Sequence, residues 1–131
     1  MVSSDFAHWG TRFRYTYYVP ASGEATSLRS SDRAPKDPPI YESIRQVDFE
    51  CIDACESGSH KQWLDVLSET GNTVCGRHPV GIVMAAIEHM DRGHAGDGGK
   101  PTFKFVRYER SSDCTKVGDS SVSYASAFAV M

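Results

Sequence analysis

Segment 120–130, near the end of the chain, alternates small and large side chains with a period of two residues. This period is typical of a β-strand, because successive side chains point to opposite faces of the sheet. A strand face of small residues lets a helix or another backbone approach closely. The pattern therefore predicts a sheet with a second layer packed against it. The small face holds Ser121, Ser123, Ala125, Ala127 and Ala129, and the bulky face holds Val122, Tyr124, Phe128 and Val130.

Helical spacing predicts three helices in the middle of the chain. The first begins at Ile40 and is broken by Gly58, with apolar residues at every third or fourth position between them. The second is predicted over residues 60–69 and the third over residues 79–92. The residues predicted to face inward are Ile40, Ile44, Val47, Cys51 and Cys55 in the first helix, and Trp63, Leu64 and Leu67 in the second.

Two further segments predict strands. Residues 12–18 are aromatic and β-prone, and residues 102–108 carry apolar side chains on both faces, which predicts burial on both sides. The predicted order is one strand, three helices and two strands. An α/β layer architecture with its first half missing is the fold class that fits this order.

Cys75 lies just ahead of the third predicted helix, with Arg77 and His78 beside it and Pro79 suited to the first turn. Free backbone N–H groups, the positive end of the helix dipole and a guanidinium all favour thiolate over thiol. A thiolate is a nucleophile, a redox centre or a ligand for a soft metal. The alternative is a buried structural cysteine.

Asp5 and His8 are expected in a loop that follows directly after a strand end. Ligands of open α/β sheets collect at such strand ends. Carboxylate and imidazole together suit divalent iron, copper or zinc, and a cysteine ligand favours copper or zinc. A local hydrogen-bonded turn is the alternative interpretation of the Asp5 and His8 pair.

The other cysteines offer a second candidate site. Cys51 and Cys55, at i and i+4, could bind a metal together with His60, although small buried hydrophobes on the helical stripe are the favoured interpretation. Four cysteines could also form two disulfides in a secreted chain. Because the first residues show no secretory signal pattern, we expect reduced thiols in the cytoplasm, with the nucleus as a further location.

Composition excludes two classes of function. A formal net charge of −3 gives no basic surface, so nucleic-acid binding is not expected. The sequence contains no run of about 18 apolar residues, so no membrane insertion is expected. An apolar fraction of 40% with mixed charge is typical of a globular protein.

Three separated segments of the sequence are distinctive together: residues 2–15 (VSSDFAHWGTRFRY), 72–81 (NTVCGRHPVG) and 119–125 (DSSVSYA). In wording and order they resemble the Memo family, whose name stands for mediator of receptor-driven cell motility. Family members are roughly twice this length, one large α/β domain. The resemblance therefore implies that residues 1–131 are the C-terminal half of a single three-layer α/β domain, with three helices plus strands. Residues 19–39 hold four prolines and exceed the usual family length, which indicates a surface loop insertion.

Memo proteins also resemble class III extradiol dioxygenases, which are non-haem iron enzymes with a similar fold. The resemblance implies that Asp5, His8 and Cys75 are metal ligands for copper or iron, with Cys75 also the redox-active, catalytic atom. In the family, histidines of the N-terminal half complete the pocket. Metal binding by this chain alone is therefore expected to be weak. Ring-cleaving dioxygenase activity is not expected, because those enzymes use oxygen and nitrogen ligands.

The resemblance implies a metal-binding redox protein in cell motility and cytoskeletal signalling. Its implied partners are phosphorylated receptor tails or signalling proteins and the missing N-terminal half. The alternative function is an adaptor that binds phosphotyrosine peptides in a vestigial pocket. Trp9, Arg12 and Arg14 could flank that pocket, because an aromatic face and a guanidinium suit a phosphotyrosine. Strand-end packing and surface solvation are the alternative roles of these three residues.

Overall fold

The structure is a computed structural model that describes residues 2–91 and 101–129. Three helices pack against a three-stranded antiparallel sheet, and two short strands form a separate ribbon. The α/β fold class predicted from the sequence is confirmed. The elements are β1 (Val2–Trp9), β2 (Tyr17–Tyr18), β3 (Thr26–Ser27), α1 (Ile40–Glu56), α2 (His60–Thr70), α3 (Arg77–Asp91), β4 (Phe103–Arg110) and β5 (Ser121–Ala129).

β5 is the central strand of the sheet, whose order is β1-β5-β4. Its small residues, such as Ser123 and Ala125, are buried against the helices, as the alternation predicts. We call this the inner face of the sheet. On the outer face, Tyr124 is 45% exposed and Phe128 is 38% exposed, and within residues 2–91 and 101–129 no helix covers them. Val130, predicted on the bulky face, lies outside the described residues.

α1 buries every residue of its predicted stripe against the sheet and the other helices. α2 begins after Ser59, whose hydroxyl accepts a hydrogen bond from the Gln62 N–H, and ends at Gly71 with φ 63°. Trp63 is buried, but Leu64 is 50% exposed, so the prediction that Leu64 faces inward is wrong. One helical position turns a side chain by about 100°, and that carries Leu64 past the edge of the buried face.

α3 begins at Arg77, two residues before the predicted start, and keeps Pro79 in its first turn. Val80, Met84 and Ile87 recur at helical spacing and are buried in the core. Arg92, the predicted last residue of this helix, lies outside the described residues. None of the helices in the described part of the chain is long and apolar enough to cross a membrane.

The aromatic segment 12–18 forms a strand only at its last two residues, so the longer predicted strand is wrong. Thr11–Phe13 forms a 3-10 turn instead, flanked by Gly10 at φ 137° and Arg14 at φ 58°. Positive φ angles at both ends turn the backbone away from an extended course.

β4 is buried on one side only, which contradicts the prediction for residues 102–108. Phe103 is buried, but Val106 is 61% exposed. The pairing with β5 shifts between Phe105 and Arg107, so Val106 is the extra residue of a bulge. The outer face of the sheet thus exposes apolar side chains on two adjacent strands.

Within the predicted loop over 19–39, residues 21–33 are exposed except for Leu28. This segment also contains β3, which pairs with β2 in the separate ribbon. Leu28 packs against a second core cluster that contains Trp9 and Ile40. The loop is therefore tied to the body of the protein at one apolar side chain.

Candidate metal centre

A bulge in β1 sets the direction of the first two candidate ligands. Asp5 lies opposite Tyr124 of β5, and His8 lies opposite Val122. The two residues are three positions apart on β1, but their partners are only two positions apart on β5. Side chains three positions apart on a regular strand point to opposite faces, but one extra residue reverses this. Asp5 and His8 therefore lie together on the outer face. They belong to a strand, and the predicted loop around them is wrong.

Cys75 approaches the same place from the segment that precedes α3. Its backbone N–H donates a hydrogen bond to the carbonyl oxygen of Asp5 at 3.0 Å, and the Gly76 N–H donates to Ser4 Oγ at 2.8 Å. A Cβ on Gly76 would lie 2.6 Å from Ser4 Oγ, so only glycine permits this approach. Cys75 precedes the helix, as predicted, and it is exposed rather than buried. The Arg77 side chain donates to His78.

The structure brings the three candidate ligands together. One donor atom from each of Asp5, His8 and Cys75 lies within 4.8 Å of the other two. His8 Nε2 is 3.9 Å from Cys75 Sγ and 3.8 Å from Asp5 Oδ2. Within residues 2–91 and 101–129, this is the only group of His, Cys, Asp and Glu side chains with such spacing. Cys51, Cys55 and His60 form no comparable group there.

The hydrogen bond of the other imidazole nitrogen fixes the tautomer of His8. Nδ1 lies 3.1 Å from the carbonyl oxygen of Phe6, which can only accept, so Nδ1 carries the proton. Nε2 then faces both Asp5 Oδ2 and Cys75 Sγ, at 3.8 Å and 3.9 Å. A relay that activates a cysteine would use one nitrogen for the thiol and the other for the carboxylate. Convergence on one nitrogen fits a shared cation better than a proton relay.

The other three cysteines are buried thiols. Burial raises the pKa of Cys51 and of Cys55 to about 12, and that of Cys114 to about 11. Nearby carboxylates act in the same direction. These thiols stay protonated near neutral pH, which agrees with the interpretation of Cys51 and Cys55 as small buried hydrophobes.

The three residues suggested for peptide binding do not share one surface. Trp9 is buried in the second core cluster, and its Nε1 donates to the carbonyl oxygen of Tyr17 at 2.9 Å. Its aromatic face is therefore inaccessible to a ligand, and strand-end packing is its role. Arg12 and Arg14 are exposed, and the Arg12 guanidinium lies 4.9 Å from the ring centre of Phe13.

A buried polar network under β1 was missed at the level of sequence. Asp48 of α1 accepts hydrogen bonds from the Ala7 N–H at 3.2 Å, from Asn72 Nδ2 at 2.9 Å and from the Tyr108 hydroxyl at 2.7 Å. Burial raises the pKa of the Asp48 carboxyl, against hydrogen bonds from Ser123, Asn72 and Tyr108 that act to lower it. The network joins α1, β1, β4 and the segment that leads to Cys75.

The sequence did carry a signal for this network. Asp48 follows Ile44 by four positions and Val47 by one, so it falls within the apolar stripe of α1. A carboxylate on the buried face of a helix needs hydrogen-bond donors around it. Its position was therefore a signal for a buried polar cluster that the sequence-based predictions did not use, although it does not indicate which donors surround the carboxylate.

Comparison with known proteins identifies the relatives of this chain. A family model described as Memo-like protein matches residues 1–128. The chain belongs to the Memo family. It is 37% identical over 131 residues to Protein MEMO1 of Xenopus laevis, a match that covers 100% of the chain and 38% of the relative. It is 38% identical over 125 residues to Protein MEMO1 of Homo sapiens, covering 95% of the chain and 36% of the relative.

A MEMO1 family protein of Schizosaccharomyces pombe is 39% identical over 132 residues, covering 98% of the chain and 40% of the relative. The chain therefore spans 36% to 40% of the length of these Memo relatives.

The three segments that carry the Memo resemblance meet in space. Segment 2–15 contributes β1, which pairs with β5 from segment 119–125. Segment 72–81 is hydrogen-bonded to β1 through Cys75. A Cβ on Gly10 would lie 2.8 Å from Ser120 Cβ, so the first and third segments are also in close backbone contact. These three segments therefore meet around the candidate metal centre.

Proposed function

We propose that this chain supplies part of a transition-metal site, with Asp5, His8 and Cys75 as ligands for copper or iron. The observation that carries the proposal is the convergence of three donor atoms within 4.8 Å, with Nε2 of His8 close to both of the others. A cation between a carboxylate oxygen, an imidazole nitrogen and a sulfur atom would be bound by all three.

The nitrogen, oxygen and sulfur donors of the site differ in their preference for iron and copper. Imidazole and carboxylate suit divalent iron, whereas the thiolate of Cys75 favours copper in its reduced state. Such a metal would supply one-electron chemistry when bound. Cys75 is the exposed thiol of the site, which supports a redox-active role for its sulfur atom.

The site also lies open on the outer face of the sheet. Asp5 lies opposite Tyr124, whose side chain is 45% exposed, so this surface could take a further layer. Three ligands leave the coordination of copper or iron incomplete. We propose that the N-terminal part of a Memo-length protein covers the outer face and adds the missing ligands. The coverage of 36% to 40% of the relatives leaves room for such a part.

A metal-dependent redox role in cell motility and cytoskeletal signalling is the biological function we propose, by likeness to the Memo family. A phosphotyrosine adaptor is the alternative. One observation favours it: the exposed Arg12 stacks on Phe13, whose ring lies 5.4 Å from that of His8, so a cation flanks the metal centre. Tighter binding of a phosphotyrosine peptide than of its unphosphorylated form, lost in Arg12→Ala, would support the adaptor.

Chelator competition tests the metal proposal, first on this chain and then on the chain co-expressed with the N-terminal part of a Memo relative. We expect weak binding by the chain alone and tight binding by the pair. In the pair, Cys75→Ser should weaken Cu(I) much more than Fe(II), because it removes the soft ligand, and His8→Ala should weaken both. His78→Ala, three residues after Cys75, is the matched control. Tight Cu(I) binding that survives Cys75→Ser would contradict the site assignment.

A further inference from the structure

One buried oxygen atom connects the two segments that carry the candidate ligands. Asp48 Oδ1 accepts hydrogen bonds from the Ala7 N–H at 3.2 Å and from Asn72 Nδ2 at 2.9 Å. Ala7 lies between Asp5 and His8 on β1. Asn72 lies three residues before Cys75. Asp48 itself is fully buried, so water cannot replace either bond.

The bond to Ala7 lies at the bulge that directs Asp5 and His8 to one face. A bulge interrupts the strand ladder and leaves a backbone group without its regular partner. A buried N–H needs another acceptor, and Asp48 provides it. The next amide along, that of His8, donates to Thr73 Oγ1 at 2.7 Å, which again ties β1 to the segment that leads to Cys75.

The second carboxylate oxygen of Asp48 is held as well. Its Oδ2 accepts from the Tyr108 hydroxyl at 2.7 Å, and that hydroxyl lies 3.2 Å from Ser123 Oγ. Tyr108 belongs to β4 and Ser123 to β5, so the carboxylate is fixed to the body of the sheet. With both oxygens bound, Asp48 can hold Ala7 and Asn72 at a set distance from each other.

We propose that Asp48 is a positioning residue that sets the distance between His8 and Cys75 by joining the β1 bulge to the segment at Asn72. The inference rests on the metal site proposed above. Asp48 touches none of the three candidate ligands, and it acts on them through the backbone of Ala7 and the side chain of Asn72. Residues behind metal ligands commonly affect affinity in this way.

Three variants and a control test the proposal in the full 131-residue chain. Asp48→Ala removes the acceptor, whereas Asp48→Asn keeps one oxygen for Ala7 and Asn72. Asn72→Ala keeps the bond to Ala7 and cuts the link towards Cys75, together with the 3.5 Å bond from Asn72 Nδ2 to Cys51 Sγ. Ser43→Ala is the control, because Ser43 is a fully buried polar residue of the same helix whose hydroxyl accepts from the Val19 N–H, away from the site.

The first measurement uses the metal-free chain. Long-range proton–nitrogen NMR reports which nitrogen of His8 is protonated, and hydrogen exchange reports the protection of the Ala7 amide. Asp48→Ala should lose both the Nδ1–H tautomer of His8 and the protection of the Ala7 amide. Asp48→Asn and Ser43→Ala should keep both. If Asp48→Ala keeps the Nδ1–H tautomer and the Ala7 protection, the proposal is overturned. This result does not depend on whether the chain binds metal.

The second measurement is the Co(II) affinity, by chelator competition, of each variant co-expressed with the N-terminal part of a Memo relative, with the thiolate charge-transfer band as a report on Cys75. Asp48→Ala and Asn72→Ala should each weaken binding by roughly 10- to 100-fold, and Ser43→Ala should leave it unchanged. Asp48→Asn should retain most of the affinity. Should Asp48→Ala fail to fold, an Asn72→Ala affinity equal to that of Ser43→Ala would overturn the proposal. A wild-type chain that binds no Co(II) even when completed by a Memo N-terminal part would instead overturn the metal site.

Discussion

His8 donates a hydrogen bond from Nδ1 to the carbonyl oxygen of Phe6, two residues before it on the same strand, at 3.1 Å. The other ring nitrogen, Nε2, faces Asp5 and Cys75. The β1 bulge makes this arrangement stable, because it puts Asp5 and His8 on one face while Phe6 stays in the core. The tautomer and the bulge together turn three scattered polar residues into one candidate site.

Only Cys75 should react with iodoacetamide in the native chain at pH 8. The pKa of Cys114 is raised to about 11, which leaves about a thousandth of that thiol as thiolate at this pH, and Cys51 and Cys55 have still less. Mass spectrometry of the native chain should show one modification, and the chain in denaturant should show four. Equally fast labelling of a second cysteine in the native chain would contradict the burial of these thiols.

Gly10→Ala should destabilise the chain by about 1–3 kcal/mol, since it forces a side chain into a sparsely populated backbone region. Gly10 has φ 137°, and a Cβ there would lie 2.8 Å from Ser120 Cβ. Gly118→Ala is the control, because a Cβ at Gly118 meets nothing within 4 Å. Urea denaturation measures both free energies of unfolding. Equal effects of the two substitutions would count against a close contact between the ends of β1 and the segment before β5.

The stability that Asp48 contributes should fall as the pH rises from about 4 towards neutral. Burial raises the pKa of its carboxyl, so the native state binds the proton more tightly than the unfolded chain does. Wherever the native state holds more protons, the free energy of unfolding decreases with pH. The free energy of unfolding of the wild type, minus that of Asp48→Asn, should therefore decrease over this pH range. A difference that grows with pH would show that the hydrogen bonds outweigh burial.

The outer face of the sheet should be the surface that binds the N-terminal part of a Memo relative. Replacing Tyr124 and Phe128 by serine removes two exposed rings, and we expect this to weaken the association measured by analytical ultracentrifugation. Ile82→Ser, on the largely exposed side of α3, is the matched control and should leave the association intact. Association that is weakened by Ile82→Ser and unaffected by the Tyr124 and Phe128 substitutions would place the interface on the helices.

Local patterns were sufficient to predict much of the fold. The spacing in α1 and the alternation in β5 each identified the element and its buried face, because one face of each is covered by the core. Segment 12–18 was predicted wrongly because strand propensity says nothing of the positive φ angles at Gly10 and Arg14. Leu64 shows the same limit, since helical spacing does not give the width of the buried stripe.

The sequence was sufficient to predict which residues form the candidate site, but not how they are arranged. Sequence resemblance pointed to Asp5, His8 and Cys75, and the structure brings them together. A spacing of three on a strand predicts opposite faces, and the bulge that reverses this is hydrogen-bonded through the Ala7 N–H to Asp48, which is distant in sequence. Tertiary contacts of this kind leave no periodic signal.

Paramagnetic NMR on the labelled chain is the most direct test of the metal centre, because it locates even a weakly bound ion. Substoichiometric Co(II) should first broaden or shift the amide signals of residues 4–9 and 73–77. The effect should vanish in a variant that combines His8→Ala with Cys75→Ser. Perturbation that centres elsewhere, or that survives in this double variant, would contradict a metal site formed by Asp5, His8 and Cys75.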